Sequence, residues 1–96
     1  MQTVIDNEAE ERFEIELDGH LAQLAYDVED GRLTLIHTEV PAELEGHGIG
    51  GQLVTAAVDR AVRDRLTIVP ECPFARGWLQ RHPDIARRAE IRWPQG

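Results

Sequence analysis

The chain has 96 residues, 42% of them apolar, and a formal net charge of −8 that comes from 18 acidic against 10 basic side chains. This length suits one domain with one hydrophobic core and leaves little room for a second domain or a deep enclosed cavity. The acidic balance argues against duplex DNA or RNA and against an anionic membrane surface as partners, since both are bound through Lys and Arg. It mildly favours a cationic or amine partner, although such a charge can also serve only to keep a protein soluble.

The chain contains a single cysteine, Cys72, and therefore no intrachain disulfide. Its first eight residues lack the basic and apolar regions of a signal peptide, and no stretch approaches the ~18 apolar residues of a membrane span. The four histidines and the cysteine are dispersed and show no metal-ligand spacing, so we expect no metal site. We therefore expect one cytoplasmic domain over residues 1–96, partly disordered over 1–11.

The first half of the chain shows the alternation of apolar and polar residues that is typical of β-strands. Phe13, Ile15 and Leu17 alternate with glutamates and fall on one face of a strand. Asp18-Gly19 follows and predicts a two-residue hairpin turn. Three strands joined by tight turns predict an antiparallel meander. Its strands span 13–17, 20–28 and 32–40, its turns lie at 18–19 and 29–31, and it follows a charged connection over 6–12 and a short strand or frayed end over 3–5.

The pattern changes after Pro41, where the apolar residues move to helical spacing. This spacing starts at Ile49 and predicts a long helix over 48–65. The β-branched run 66–69 predicts a strand that Pro70 ends. A strand, a crossing helix and another strand imply a right-handed crossover, so the third and fourth strands should be parallel neighbours. The remaining predicted elements are a short helix over 74–81 with Phe74, Trp78 and Leu79 inward, a helical turn opened by Pro83, and a segment 91–93 that packs back on the domain.

Four glycines fall within six positions, Gly46 to Gly51, between the third strand and the long helix. Each costs up to ~1 kcal/mol at a helix start relative to alanine, so some gain should offset them. A backbone without side chains can approach a ligand closely, and the unpaired first N–H groups and the dipole of a helix favour an anion. The loop therefore predicts a phosphate or pyrophosphate site; the alternative is a glycine-rich turn that only lets helix and sheet pack tightly.

Three phosphate-binding patterns compete for this loop. A Walker A loop ends in Gly-Lys-Ser/Thr, which this loop lacks. The dinucleotide pattern G-x-G-x-x-G is met by Gly46, Gly48 and Gly51, with Glu71 as its acidic residue. That loop normally follows the first strand of a parallel sheet directly, whereas three strands precede this one. The third pattern, Q/R-x-x-G-x-G/A, fits residues 45–50 with Glu45 in place of the usual Gln or Arg.

The third pattern belongs to the acyl-CoA pyrophosphate loop of the GCN5-related N-acetyltransferases, and other motifs extend the likeness over about residues 12–85. They are Phe13-Glu14, Asp18-Gly19, His37-Thr38-Glu39-Val40-Pro41, Glu43-Leu44-Glu45-Gly46-His47-Gly48-Ile49-Gly50, Val69-Pro70-Glu71-Cys72-Pro73-Phe74 and Arg81-His82-Pro83. On these residues the chain resembles the short, YjdJ-type branch of that superfamily. The resemblance implies a minimal α/β (α+β) domain: a three-strand antiparallel meander, a central helix, a parallel strand and short C-terminal helices. It also implies acetyl-CoA as cofactor and acetylation of an amine as the reaction.

The resemblance further implies roles for individual residues. Loop amides would hold the pyrophosphate, and the end of the third strand would offer backbone groups to the pantetheine arm. Cys72 would be a functional thiol, either the acceptor of the acetyl group or the acid that protonates the departing CoA thiolate; a buried structural cysteine is the alternative. Apart from the resemblance, strand alternation places His37, a candidate base, on the face of Leu35 and Glu39; a satisfied histidine of the sheet is the alternative, and Glu39 is a second candidate base. The expected cofactor-binding residues are Glu39, Val40, Gly46, His47, Gly48, Ile49, Gly50, Gly51, Arg81 and His82.

Two functions stay open on this sequence. One is an acetyl-CoA-dependent N-acetyltransferase that acts on a small-molecule or protein amine, which Cys72 and His37 favour. The other is a CoA-binding module without useful catalysis, acting as a regulator or partner subunit. Glu45 favours this second function, as does a small size that leaves little wall for an acceptor pocket. The residues leave open the identity of the acceptor and the choice between monomer and homodimer.

Overall fold

The computed structural model describes residues 3–95. Met1, Gln2 and Gly96 lie outside the described residues, and so does the part of the expected disorder that falls on the first two. The described elements form one five-stranded sheet in the order β1-β2-β3-β4-β5, antiparallel up to β4 and parallel between β4 and β5. They are β1 Ile5–Asn7, β2 Arg12–Leu17, β3 His20–Glu29, β4 Arg32–Glu39, a 3-10 turn Ala42–Leu44, α1 Ile49–Asp64, β5 Thr67–Pro70, α2 Pro73–Arg81 and α3 Pro83–Ala86.

Two aspartate-glycine turns join β2 to β3 and β3 to β4. In the first, Asp18 and Gly19 both have positive φ, 53° and 77°, and in the second Asp30 and Gly31 have 52° and 75°. Two consecutive residues with positive φ make a type I′ turn, whose twist matches that of the strands it joins. The hairpin predicted at 18–19 is therefore confirmed, and 29–31 contains a second turn of the same kind.

Of the two alternatives expected over 3–5, a short strand or a frayed end, the structure has the strand, but it lies later, so the connection predicted over 6–12 is wrong at its start. Ile5–Asn7 forms a fourth antiparallel strand that pairs with β2, in the register Ile5↔Glu14 and Asn7↔Arg12. The charge of this segment concealed the strand, because a charged residue in a short segment normally indicates a solvated loop. Here the carboxylate of Asp6 is bound by Arg60 and accepts a hydrogen bond from Tyr26, so it is satisfied within the sheet.

The core lies between the sheet and one helical layer. The buried side chains of β2, β3 and β4 alternate along each strand and point to the same face, on which α1 and α2 pack. Helix α1 contributes its apolar stripe, from Ile49 through Leu53 and Ala57 to Ala61. Within residues 3–95, no helix combines the length and the hydropathy needed to cross a membrane.

A bulge in β4 changes which face its last residues occupy. Ala25 pairs with His37, but the next residue of β3, Tyr26, pairs with Leu35, so Ile36 is an extra residue on β4. Because one inserted residue reverses the alternation, His37 faces away from Leu35. The prediction that these two side chains share a face is therefore wrong.

The parallel strands β4 and β5 separate next to this bulge. Pairing between β4 and β5 ends at Leu35↔Pro70, whereas β4 continues to Glu39. The backbone of residues 36–39 thus has no strand partner on the β5 side, and a groove opens there between β4 and the segment that follows β5. The predicted parallel neighbours are confirmed, with β5 one residue later than expected, at Thr67–Pro70.

The C-terminal part of the chain closes the helical layer. Leu79 is buried and Trp78 half-buried, as expected, but Phe74 is 40% exposed, so the prediction that it points inward is wrong. Ile91 does pack back on the domain: it forms a parallel bridge beside Ile68, with Ile68 N–H donating to Glu90 at 2.8 Å.

Candidate functional site

A groove of about 440 Å³ lies where β4 separates from β5. Its walls are the end of β4, the glycine loop, the first turn of α1 and two aromatic side chains of α2. Six of the ten predicted cofactor-binding residues line it: Val40, Gly46, Gly48, Ile49, Gly50 and Gly51.

The phosphate-binding end of this groove is an open helix N-terminus. Gly46 and Gly48 have positive φ, 87° and 70°, a conformation that favours glycine, and Gly48 is the N-cap of α1. No side chain caps the helix, and its first internal hydrogen bond runs from Gln52 N–H to Gly48 at 3.1 Å. The amides of residues 49–51 therefore have no intrahelical acceptor, and such a donor set fits a pyrophosphate.

The other two glycines of the loop, Gly50 and Gly51, are required by side-chain packing rather than by backbone conformation. A Cβ added to Gly50 would lie 2.5 Å from Cζ of Phe74, and one added to Gly51 would lie 2.6 Å from Nε1 of Trp78. These glycines let α2 place two aromatic rings directly on the start of α1. The packing alternative considered from sequence is thus correct for half of the loop, although the partner is a helix rather than the sheet.

Cys72 lies behind one wall of the groove and is not part of its lining. Its side chain is 3% exposed, and its Sγ is 3.1 Å from Oγ1 of Thr38, which lines the groove. The N–H of Cys72 donates to Leu35 at 2.8 Å, which extends the β4–β5 pairing by one bond, and the residue is the N-cap of α2. The thiol is therefore separated from the groove by the Thr38 side chain, at the start of a helix and next to the split between β4 and β5.

Sequence reasoning missed Thr38. Regular alternation along β4 places it opposite Leu35, on the face away from the core. The bulge at Ile36 returns it to the core face, because Thr38 pairs with the buried Leu24. Periodicity within one strand carries no signal for this, since a bulge is a property of a strand pair.

The two candidate bases lie on the other face of the sheet. The side chain of His37 is 67% exposed, and its Nε2 is 3.8 Å from the carboxylate of Glu39. That carboxylate also accepts a hydrogen bond from Gln23 at 3.1 Å. The structure therefore does not bring His37 or the carboxylate of Glu39 to Cys72.

The other predicted residues lie around the groove rather than in its wall. His47 is exposed in the loop, and Arg81 is exposed at the end of α2. His82 stacks on Trp78 with ring centroids 3.9 Å apart, and its Nδ1–H donates to the Trp78 carbonyl at 2.8 Å. Among the described residues that line the groove, Glu45 supplies the only charged side chain. No group of three or more His, Cys, Asp and Glu side chains within residues 3–95 could hold a metal ion.

Two comparisons with known proteins identify the family of the chain. The model of a family described as GCN5-related N-acetyltransferase matches residues 12–88. The NMR solution structure of a Staphylococcus aureus protein, assigned as a GCN5-like N-acetyltransferase, has a TM-score of 0.74 and 27% sequence identity to this chain, covering 98% of this chain and 91% of that one. The predicted α/β fold class is confirmed, while the narrower YjdJ-type branch stays a prediction. The chain belongs to the GCN5-related N-acetyltransferase family.

Proposed function

We propose that the protein is an acetyl-CoA-dependent N-acetyltransferase that acts on a small-molecule or protein amine. The observation that carries this proposal is one groove with two chemically different ends. An uncapped, glycine-rich helix start forms one end, and Thr38, whose hydroxyl contacts the thiol of Cys72 behind it, forms the other. Acetyl-CoA has the matching parts, a pyrophosphate and a thioester joined by a long arm.

The residues that would hold this cofactor follow from their free hydrogen-bonding groups. The amides of Ile49, Gly50 and Gly51 suit the pyrophosphate. The free backbone edge of 36–39 suits the amides of the pantetheine arm, as a strand edge suits any extended chain. Bound in this way, the cofactor would supply an activated acetyl group to the region of Cys72.

Cys72 has two chemical roles open to it. Its sulfur can take the acetyl group before an amine receives it, or its S–H can give a proton to the departing CoA thiolate. In either role the Thr38 hydroxyl can donate to a thiolate or accept from a thiol, so it suits both states of the sulfur.

The test is Cys72→Ala, measured in two assays. Calorimetry with CoA should give an affinity within about twofold of the wild type, because this side chain does not touch the phosphates. Release of free CoA from acetyl-CoA, with a panel of amines, should fall by about tenfold or more, the usual range for losing an acid or base catalyst. Wild-type turnover in the variant would reject a catalytic thiol.

Intact-mass measurement separates the two roles of the thiol. All ten basic residues of the chain are arginines, so it has no lysine amine to become acetylated. A gain of one acetyl group in the wild type that is lost in Cys72→Ala identifies the sulfur as an acetyl carrier. Turnover that depends on Cys72 without such a mass gain identifies it as an acid.

A second candidate function, a CoA-binding module without catalysis, is favoured by the position of the two bases. His37 and the carboxylate of Glu39 lie on the face opposite Cys72, so neither is placed to take the proton of an amine held beside the thiol. Tight binding of acetyl-CoA with no CoA release for any acceptor would support this function. Parallel calorimetry with NAD tests the assignment itself, since tight NAD binding without CoA binding would overturn it.

A further inference from the structure

The indole of Trp78 presents an unused hydrogen-bond donor at the start of α1. Its Nε1 is 2.6 Å from the position that a Cβ on Gly51 would take, so the N–H lies beside the first turn of the helix. Among residues 3–95, no acceptor bonds to this N–H. The indole is only half-buried, and no buried side-chain N or O atom of the described residues lacks a partner, so this N–H is open to solvent. A donor that meets solvent at this spot is free to bond to a ligand that enters the groove.

Trp78 also lies where two cavities meet. It lines the groove described above and a neighbouring cavity of about 730 Å³ between α1 and the β1–β2 edge of the sheet. The two cavities share Gly48 and Gly51 as well, which are the N-cap and the first turn of the helix. A ligand that is held by the open amides of this turn therefore passes the edge of the indole.

The ring is fixed in place before any ligand arrives. His82 stacks on it at 3.9 Å, nearly parallel, and donates to the carbonyl of Trp78 itself. Gly51 contacts its Nε1 edge. A donor held in this way loses little conformational freedom when it binds, which favours affinity.

The charge of the groove makes an additional donor useful. Its described lining contains no cation, and Glu45 brings a negative charge to the end where phosphate would lie. We propose, on the basis of the function proposed above, that Trp78 Nε1–H donates a hydrogen bond to a phosphate oxygen of the bound cofactor. Trp78 would then be a phosphate-binding residue that works alongside the backbone amides of residues 49–51.

The direct test observes the indole proton in the wild-type protein. The chain has two tryptophans, so a ¹⁵N-labelled sample gives two indole signals, and Trp93→Phe identifies that of Trp78. The protein is titrated with CoA, with inorganic pyrophosphate and with phosphate-free pantetheine. We expect the Trp78 indole proton to move downfield with CoA and with pyrophosphate, and to stay in place with pantetheine. CoA binding that leaves this proton unmoved would overturn the inference while leaving the proposed function intact.

The second test is Trp78→Phe, which keeps an aromatic ring for His82 but removes the donor. One hydrogen bond to a charged phosphate corresponds to about tenfold in affinity, so CoA should bind about tenfold more weakly. The affinity for pantetheine should change by less than about twofold, and Trp93→Phe should leave both affinities unchanged. Equal losses for CoA and pantetheine would show a packing role and overturn the inference. If the variant fails to fold, the wild-type titration decides, and a wild type that binds no CoA would overturn the proposed function together with this inference.

Discussion

The two ends of helix α1 differ in whether their hydrogen-bonding groups have partners. At the N-terminal end no side chain caps the helix, and the indole N–H of Trp78 has no acceptor among the described residues. Near the C-terminal end, the side chain of Arg60 is 11% exposed and makes three hydrogen bonds, with donors 3.0 Å from Asp6, 2.7 Å from the hydroxyl of Tyr26 and 3.2 Å from Asp64. Satisfied groups stabilise a fold, whereas donors left open can bind a ligand, so one helix divides stability and function between its ends.

This contrast also decides between the two cavities. The larger one, about 730 Å³, is lined in part by charged side chains of the C-terminal half of α1. Those charges are already used: Arg60 binds Asp6, Asp59 binds Arg88, and Arg63 binds Asp64. Both cavities touch the open first turn of α1, but only the smaller groove is lined by Thr38, whose hydroxyl contacts the Cys72 thiol, so it is the candidate site despite its size.

The largest expected effect is on stability, from Arg60→Met. Removing the guanidinium leaves the carboxylate of Asp6 and the hydroxyl of Tyr26 without their shared partner in a poorly solvated place, at a cost of about 3 kcal/mol. Urea unfolding would measure this loss, and CoA affinity below the transition should not change. The matched control is Arg63→Met, whose side chain is 64% exposed and pairs with Asp64 at the surface, so its loss should leave the free energy of unfolding nearly unchanged. Equal losses in the two variants would mean that the cluster has no special role.

A pH titration tests the same cluster. Burial, together with the hydrogen bond from Tyr26 to the Asp6 carboxylate, raises the pKa of Tyr26 from 10.0 to about 12. A group whose pKa is higher in the folded state adds stability that is fully present below its unfolded pKa and is lost as pH rises through its folded pKa. Stability should therefore fall between pH 10 and 12, by about 2 kcal/mol.

The composition of the chain makes the tyrosine titration simple to assign. Tyr26 is its only tyrosine and all ten basic residues are arginines, so no other tyrosine and no lysine titrates in that range. Absorbance of the tyrosinate gives the pKa, and urea unfolding at several pH values gives the stability. The matched variant, Tyr26→Phe, should not lose stability over this pH range. A loss of the same size in that variant would mean that another group causes it.

At the open end of the helix, Gly51→Ala should weaken CoA binding by about tenfold, because its Cβ would displace the indole of Trp78. Stability should change little, since alanine favours the helix by about 1 kcal/mol and offsets part of the displacement. Calorimetry and urea unfolding separate the two effects. The control, Gly77→Ala, places a Cβ 3.1 Å from the flexible end of Arg81, which can move aside, so CoA affinity should be unchanged. Wild-type affinity in Gly51→Ala would show that the first turn need not stay open.

Local patterns predicted most of the fold. Aspartate-glycine pairs fixed the hairpins, and the apolar period from Ile49 fixed α1 to within one residue at each end. The features that failed depend on a partner elsewhere in the chain. Strand β1 exists because Tyr26 and Arg60 satisfy Asp6, and the bulge in β4 exists only relative to β3.

The candidate site divides in the same way. The glycine loop was predicted from its composition, whereas Thr38 and Trp78 needed the tertiary structure. One signal for the second residue was present in the sequence: Phe74 and Trp78 are four apart on a helix, and such a pair can face two consecutive glycines.

The smallest expected effect concerns the inner end of the groove, where one polar pair is satisfied. Thr38→Val keeps the shape of the side chain and removes the hydroxyl 3.1 Å from Cys72. Losing this one hydrogen bond should lower acetyl transfer by about fivefold, measured as CoA release, and leave CoA affinity unchanged because the phosphates lie at the other end. Thr34→Val is the control, since Thr34 lies on the same strand but pairs with Val69, away from the thiol. If Thr38→Val transfers acetyl as fast as the wild type, the hydroxyl only fills space, and the Thr38–Cys72 pair belongs with the structural contacts at the Arg60 end.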